Sequence, residues 1–212
     1  MSASKDIFEF LILRIKAYIL LEDHEVEFIK NLFKEEHYAN NEVLHREGNV
    51  CKKLYFVADG IVRFSQLADG EERTYFIRSE GEFCNDLESF LNQIPSKNSI
   101  SAVGKTTVLS ITYSNLQLFY NEVTHGDRFG RLAMEQKYTT IVNQLSTLYF
   151  ETPEQRYLRY ISKHKELLQR VPQYFIASYI GVTPQALCRI KKNMLNEERV
   201  SPFAAQVVSL AS

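Results

Sequence analysis

Residues 171–192, VPQYFIASYIGVTPQALCRIKK, carry the strongest structural signal in the chain. Ile176, Ala177 and Ile180 stand at helical spacing and give a first helix its buried face. Gly181 follows, a residue that enters a left-handed turn without steric cost, and Val182 plugs the angle beyond it. Thr183 and Pro184 then open a second helix, with a hydroxyl N-cap and a proline at the first helical position. Leu187 and Ile190 anchor that helix to the core. Two helices joined by such a turn form a helix-turn-helix. The set expected to face DNA is Thr183, Gln185, Ala186, Arg189, Lys191 and Lys192. Arg can bond guanine bidentately and Gln can do the same for adenine. Lys191 and Lys192 suit phosphates, which position a protein without specifying sequence. A plain helical hairpin with a solvated polar face presents the same pattern, so the motif needs support from outside itself.

Charge gives some of that support. The whole chain carries a net charge of −1 over 212 residues. Met1–Thr152 balances at −6 and Pro153–Ser212 at +5. A basic end on an acidic protein points to nucleic acid, although a short segment also reaches such a value by scatter.

Upstream, the texture changes twice. Ile7, Phe8, Leu11, Ile15, Tyr18 and Ile19 recur at helical spacing, and Glu22-Asp23 caps a second helix carrying Val26, Ile29, Leu32 and Phe33. From His37 to Ile111 short β-branched and aromatic runs alternate with Ala58-Asp59-Gly60, Ala68-Asp69-Gly70 and Ser79-Glu80-Gly81. Strands of that length, divided by Gly and Asp-Gly turns, predict an antiparallel sandwich or barrel. Ser114 then caps a helical run. Along it Met134, Tyr138, Ile141, Leu145 and Leu148 step by four and three, an a/d seam of the kind paired helices use. A helix lying on its own core shows the same spacing. Thr152-Pro153 ends the run and starts a new helix.

Other classes find little footing. Cys51, Cys84 and Cys188 are far apart, without the spacing of a zinc or iron–sulfur site or of a secreted disulfide scaffold. The apolar stretch Ile7–Ile19 is too short and too charged to span a bilayer, so a soluble cytoplasmic protein without membrane association is the simplest reading. No nucleophile–base set is visible around Ser96 or Cys84, so neither catalytic residues nor an enzyme is expected.

The order of β-roll, long helix and helix-turn-helix resembles the CRP/FNR family of bacterial transcription regulators over nearly the whole chain. Leu54–Arg63 looks like the family's second hairpin, Gly81-Glu82-Phe83 like the start of its ligand-pocket segment, and Thr152–Leu158 with Val171–Lys192 like its C-terminal domain. The resemblance implies an α+β fold: an antiparallel, jelly-roll-like β-roll flanked by helices (residues 1–113), a long dimerisation helix (114–152) and a winged-helix-like helix-turn-helix domain (153–212). It implies double-stranded DNA, a second copy of the chain and RNA polymerase as partners.

The family's cyclic nucleotide site does not carry over. Where a Gly-Glu pair takes the ribose, this sequence has Asn85-Asp86. Where an Arg-Ser or Arg-Thr pair takes the phosphate, it has Ser96-Lys97. Lys97 offers a point charge but no guanidinium fork, and it reads equally as a solvated turn residue. The base-reading hydroxyls fall at Ile141 and Val142, which are apolar. The expectation is a degenerate pocket that does not take cyclic AMP, with no cofactor assigned. The first cysteine is Cys51, so the clustered N-terminal cysteines of oxygen-sensing members are missing, and His24, His37, His45, His125 and His164 are too scattered to name a haem ligand. Only a single short apolar run follows Asn193, so the β-wing is expected to be reduced or missing. The expected function is sequence-specific DNA binding in transcription regulation. The alternative is a cyclic-nucleotide-binding-like regulatory or interaction module that does not bind DNA.

Overall fold

A computed structural model describes residues 6–200, with side chains through Met194. Two short helices lead in. Asp6 caps α1 (Ile7–Lys16) by accepting from the amides of Phe8 and Glu9. Glu22 and Glu25 close a reciprocal capping box on α2 (Asp23–Leu32). Six antiparallel strands follow: β1 (Lys34–Tyr38), β2 (Val43–His45), β3 (Lys53–Ala68), β4 (Glu71–Arg78), β5 (Phe83–Cys84) and β6 (Asn98–Thr112), with α3 (Leu87–Asn92) before the last. The sheet runs β1-β6-β3-β4, with β2 also on β6 and β5 also on β3.

The two long strands make the roll. The expected turn at Ala58-Asp59-Gly60 is not a turn, and Leu54–Arg63 is not a hairpin: β3 continues straight through it. The pairing with β6 slips between Val57 and Asp59 and again between Asp59 and Ile61, which bends the strand instead of reversing it. Gly60 has φ +96°, and a Cβ there would stand 2.6 Å from the Thr106 hydroxyl oxygen and 2.7 Å from the Lys105 carbonyl. Ala68-Asp69-Gly70 is a true hairpin. Ala68 faces Glu71 across it, and both central residues, Asp69 and Gly70, have positive φ as a type I′ turn requires.

The roll is closed on one side by α1, α2, α4 (Tyr113–Glu122) and the start of α5 (Gly126–Phe150), around Leu11, Ile15, Phe56, Leu109, Phe119 and Phe129. Its interior holds Tyr55, Val57, Val62, Phe64, Ile100 and Val108. Thr112, not Ser114, caps α4 by accepting from the Asn115 amide at 3.2 Å. The helical run expected from residue 114 to 152 is two helices, divided at Val123–His125, where His125 takes a left-handed conformation.

α5 has 25 residues, about 37 Å at 1.5 Å per residue. Thr152 caps α6 (Pro153–Lys163) in a capping box with Gln155. The chain ends in α7 (Gln173–Tyr179) and α8 (Pro184–Val200). α8 continues to the last described residue, so the part of the wing expectation that falls on residues 201–212 lies outside the described residues.

Candidate nucleic-acid interface and sensor pocket

The helix-turn-helix is built as its sequence implies. Gly181 has φ +73°, and the Val182 amide reaches back to the Ala177 carbonyl at 2.9 Å. The Thr183 hydroxyl accepts from the Ala186 amide at 3.1 Å and starts α8. Leu187 and Ile190 are buried with Phe175, Ile176, Ala177 and Ile180 of the first helix region and with Tyr157, Tyr160 and Ile161 of α6. That packing turns Gln185, Arg189 and Lys192 into solvent; Thr183 is exposed beside them and Ala186 is half-buried. Gln185, Arg189 and Lys192 make no hydrogen bond or ion pair with any described residue, so their donors are free for a ligand. Lys191 differs from Lys192: it is half-buried, and its Nζ donates to Gln173 Oε1 of α7 at 3.3 Å.

α7 is also clasped to the sheet, a contact that no local sequence pattern marks. The Ser178 hydroxyl accepts from the Thr74 amide at 2.7 Å and donates to the Thr74 carbonyl at 3.1 Å. The Arg63 guanidinium lies 4.2 Å from the centre of the Phe175 ring, a cation–π contact. Arg170 pairs with Glu80, which also accepts from the Gly60 amide at 2.9 Å. Burial alone would raise the Glu80 carboxyl, but the bond from Arg170 and those from backbone amides hold it below its ordinary value. Ile61, Ile77 and Val103 of the roll belong to the same buried core as α6, α7 and α8.

The sensor pocket is occupied by its own residues. Asp86 caps α3 through the Ser89 amide at 3.3 Å, accepts from Asn98 Nδ2 at 2.8 Å, and accepts from the Ser96 hydroxyl. Asp86 and Ser96 are 7% and 6% exposed. Burial would raise the Asp86 carboxyl, yet hydrogen bonds from Ser96, Asn98 and Ser89 hold it below the usual carboxylate range. The Asp86 carboxylate, at the place where the resemblance puts the ribose contact, is thus tied to Ser96, at the place of the phosphate-binding pair. His45, whose buried Nε2 has no partner, is pushed down by burial against the opposing pull of Asp86. Phe64, Tyr75 and Phe76 fill the adjoining interior with edge-to-face rings 5.1–6.3 Å apart. Asn85 is half-buried and Lys97 is exposed. Lys97 has no hydrogen-bond or ion-pair partner among the described residues.

Ile141 and Val142 lie on α5, 43% and 44% exposed. Ile141 falls instead on the seam, where Met134, Tyr138, Leu145 and Leu148 are likewise 41–69% exposed. This is an uncovered apolar stripe on a helix whose N-terminal end alone is buried.

Burial pushes the Cys84 thiol up to about 12, which suppresses the thiolate a nucleophile needs. No cluster of three or more His, Cys, Asp or Glu side chains forms a metal site among the described residues. No described helix is long and apolar enough to cross a membrane.

Comparison with known proteins agrees with this architecture. Residues 35–123 match the family model of the cyclic nucleotide-binding domain. FixK2 of Bradyrhizobium japonicum superposes with a TM-score of 0.68 at 16% identity, over 78% of this chain and 85% of that one. A transcriptional regulator described as of the CRP/FNR family, from Eubacterium rectale, gives 0.68 at 14% identity over 90% and 95%. The catabolite activator protein of Thermus thermophilus gives 0.54 at 20% identity over 93% and 98%. No curated protein matches by sequence. Over most of its length the chain has the fold of the CRP/FNR-type transcription regulators.

Proposed function

We propose that the chain is a dimeric, sequence-specific DNA-binding transcription regulator, with a sensor over residues 1–113, a dimerisation segment over 114–152 and a DNA-binding domain over 153–212. The observation that carries this reading is α8: a capped helix, anchored by Leu187 and Ile190, that offers unpartnered Gln185 and Arg189 one turn apart on its exposed face. The uncovered α5 stripe supports a second copy of the chain as the dimer partner, because paired readers need a linked axis. RNA polymerase is the further partner such a regulator acts on. The pocket around Asp86 supports a sensor that does not take cyclic AMP, since Asp86 is already engaged by Ser96 and Asn98 and no guanidinium stands at Ser96-Lys97 to meet a phosphate. Calorimetry is expected to show no cyclic AMP binding in the micromolar range.

The test of DNA binding is selection of bound duplexes from a random library, with affinity followed against salt. A specific regulator yields a defined sequence logo and an affinity that falls linearly with the logarithm of salt concentration. The rival reading, an interaction module whose helix-turn-helix is idle, draws on the clasp of α7 to β4. It predicts no enriched sequence and no salt-dependent shift.

A further inference from the structure

The three parts of the molecule do not close on one another everywhere. A crevice of about 620 Å³ runs between the roll, α5 and α6, within the size range of small-molecule sites. Its charged lining is one-sided: Arg14, Arg78, Lys137, Arg156, Arg159 and Lys163 against two carboxylates, Glu82 and Glu151. Part of that charge is spent. Arg159 pairs with Glu151, and Arg156 donates to the carbonyls of Ile180 and Glu151, both at 2.7 Å. Arg14 Nε donates to the Gly81 carbonyl at 3.0 Å. Arg78 approaches Glu82 only at 3.7 Å.

Some groups on the crevice wall have no hydrogen-bond partner among the described residues. Lys137 of α5 is half-buried and makes no hydrogen bond or ion pair with any described residue. Burial pushes its ammonium below the ordinary lysine value. The hydroxyl of Tyr160 in α6, another lining residue, is buried without a partner, on a side chain only 2% exposed. An unpaired, partly buried cation is costly unless an anion meets it. Phe83 and Tyr179 add aromatic surface among polar side chains such as Thr140, Gln144 and Thr147.

We propose that this crevice is an effector site for a small organic anion, with a carboxylate or phosphate head and an apolar or aromatic body. The acidic head engages Lys137, with Arg78 beside it. The body lies against Phe83 and Tyr179. Since the walls come from the sensor, the long helix and the DNA-side domain, the anion binds one arrangement of the three better than others and shifts the molecule toward it. That consequence rests on the regulator reading above; the binding itself does not. None of Asp86, Ser96 or Lys97 lines this cavity, so it is separate from the cyclic-nucleotide-like pocket.

The experiment is calorimetry on the full-length chain at low ionic strength, with citrate and pyrophosphate as probes, backed by thermal melting. At least one probe is expected to bind saturably and raise the melting temperature. The stronger of the two identifies the head group as carboxylate or phosphate. Lys137→Gln is expected to weaken binding about tenfold or more and Arg78→Gln about threefold to tenfold, from the worth of a hydrogen bond to a charged partner. Lys105→Gln, an exposed lysine outside the crevice, is expected to bind as the wild type does. Without ligand, Lys137→Gln is expected to melt no lower than the wild type, because it removes an unpaired buried charge. If Lys137→Gln does not fold, Arg78→Gln decides alone. No saturable heat with either probe, or equal affinity for the wild type and the folded crevice variants, overturns the proposal. DNA enters none of these readings, so a failure here and a failure of DNA binding remain distinguishable.

Discussion

Replacing Ser178 by Ala removes a single oxygen, but it is the oxygen that joins α7 to the sheet. In the intact protein it satisfies both the amide and the carbonyl of Thr74, at 2.7 and 3.1 Å. Thr74 is 2% exposed, so water cannot readily take over while the two parts stay docked. Each hydrogen bond contributes about 1 kcal/mol net, and a buried group left unsatisfied costs about 1–3 kcal/mol. Ser178→Ala is therefore expected to weaken docking by about 2 kcal/mol, which is roughly a 30-fold change in the opening equilibrium.

The assay is amide hydrogen exchange at Thr74. Its protection is expected to fall about 30-fold if it exchanges through undocking. Amides deep in the roll, such as those of Val57 and Val108, exchange only through larger openings and are expected to keep their protection. Unchanged protection at Thr74 would refute the reasoning, because it would mean that sheet pairing alone shields this amide and that the Ser178 oxygen contributes nothing to docking.

Other expected outcomes follow from the same structure. Ile141→Asp with Leu145→Asp places two carboxylates on the apolar stripe of α5 and is expected to give monomers by sedimentation; a persistent dimer would remove the seam. Arg189→Ala is expected to cost about 1–3 kcal/mol per half-site and to relax preference at one base position, whereas Lys192→Ala is expected to weaken all sequences alike and lower the salt slope by about one. Identical logos for the wild type and Arg189→Ala would assign Arg189 to the backbone. The Glu80–Arg170 pair makes docking pH-dependent. Because the Glu80 pKa is held below the ordinary 4.5, its contribution is present above that value and is lost as pH falls through the depressed pKa. Melting curves of the wild type and Arg170→Gln are expected to converge in that acid window, and a constant gap down to the acid end would contradict this.

How far the sequence could be read depended on how local each determinant is. The helix-turn-helix is specified by neighbours: Gly181 for its φ, Thr183 for its cap, Leu187 and Ile190 for their spacing. The same holds for Thr152-Pro153 and for the Asp69-Gly70 hairpin. Asp59-Gly60 misleads because an Asp-Gly pair supplies positive φ to a hairpin and to a bulge alike. What decides between them is the strand opposite, where Thr106 and Lys105 crowd Gly60. The clasp was illegible for a related reason. Ser178 and Thr74 are 104 residues apart, Arg170 and Glu80 are 90 apart, and none of the four belongs to a spacing pattern. Substitution at Asp86 and Ser96 was visible in the sequence, but their bonding to each other was not. Tyr160 reads as an ordinary core residue until its hydroxyl is found without a partner.

The clasp also decides how a signal can travel. Phe175, Ile176 and Ala177 of α7 share a core with Leu187 and Ile190, so α7 and α8 move as one body. On another side the same short helix meets Thr74 through Ser178 and Arg63 through Phe175. Among the described residues, α8 is held to the roll through α7 and the shared core, with no direct hydrogen bond to the sheet. In the dimer proposed above, the paired α5 helices fix the axis while each roll fixes the tilt of its own α7. The two recognition helices must lie about 34 Å apart to meet successive major grooves, so a small rotation of α7 on the sheet moves them out of register with DNA. Regulation under the proposed function needs no rearrangement of the roll's interior, which is already filled by Phe64, Tyr75 and Phe76. It needs only a change in how the roll and α5 seat the DNA-side domain, and the crevice that holds Lys137 and Tyr160 lies at that junction.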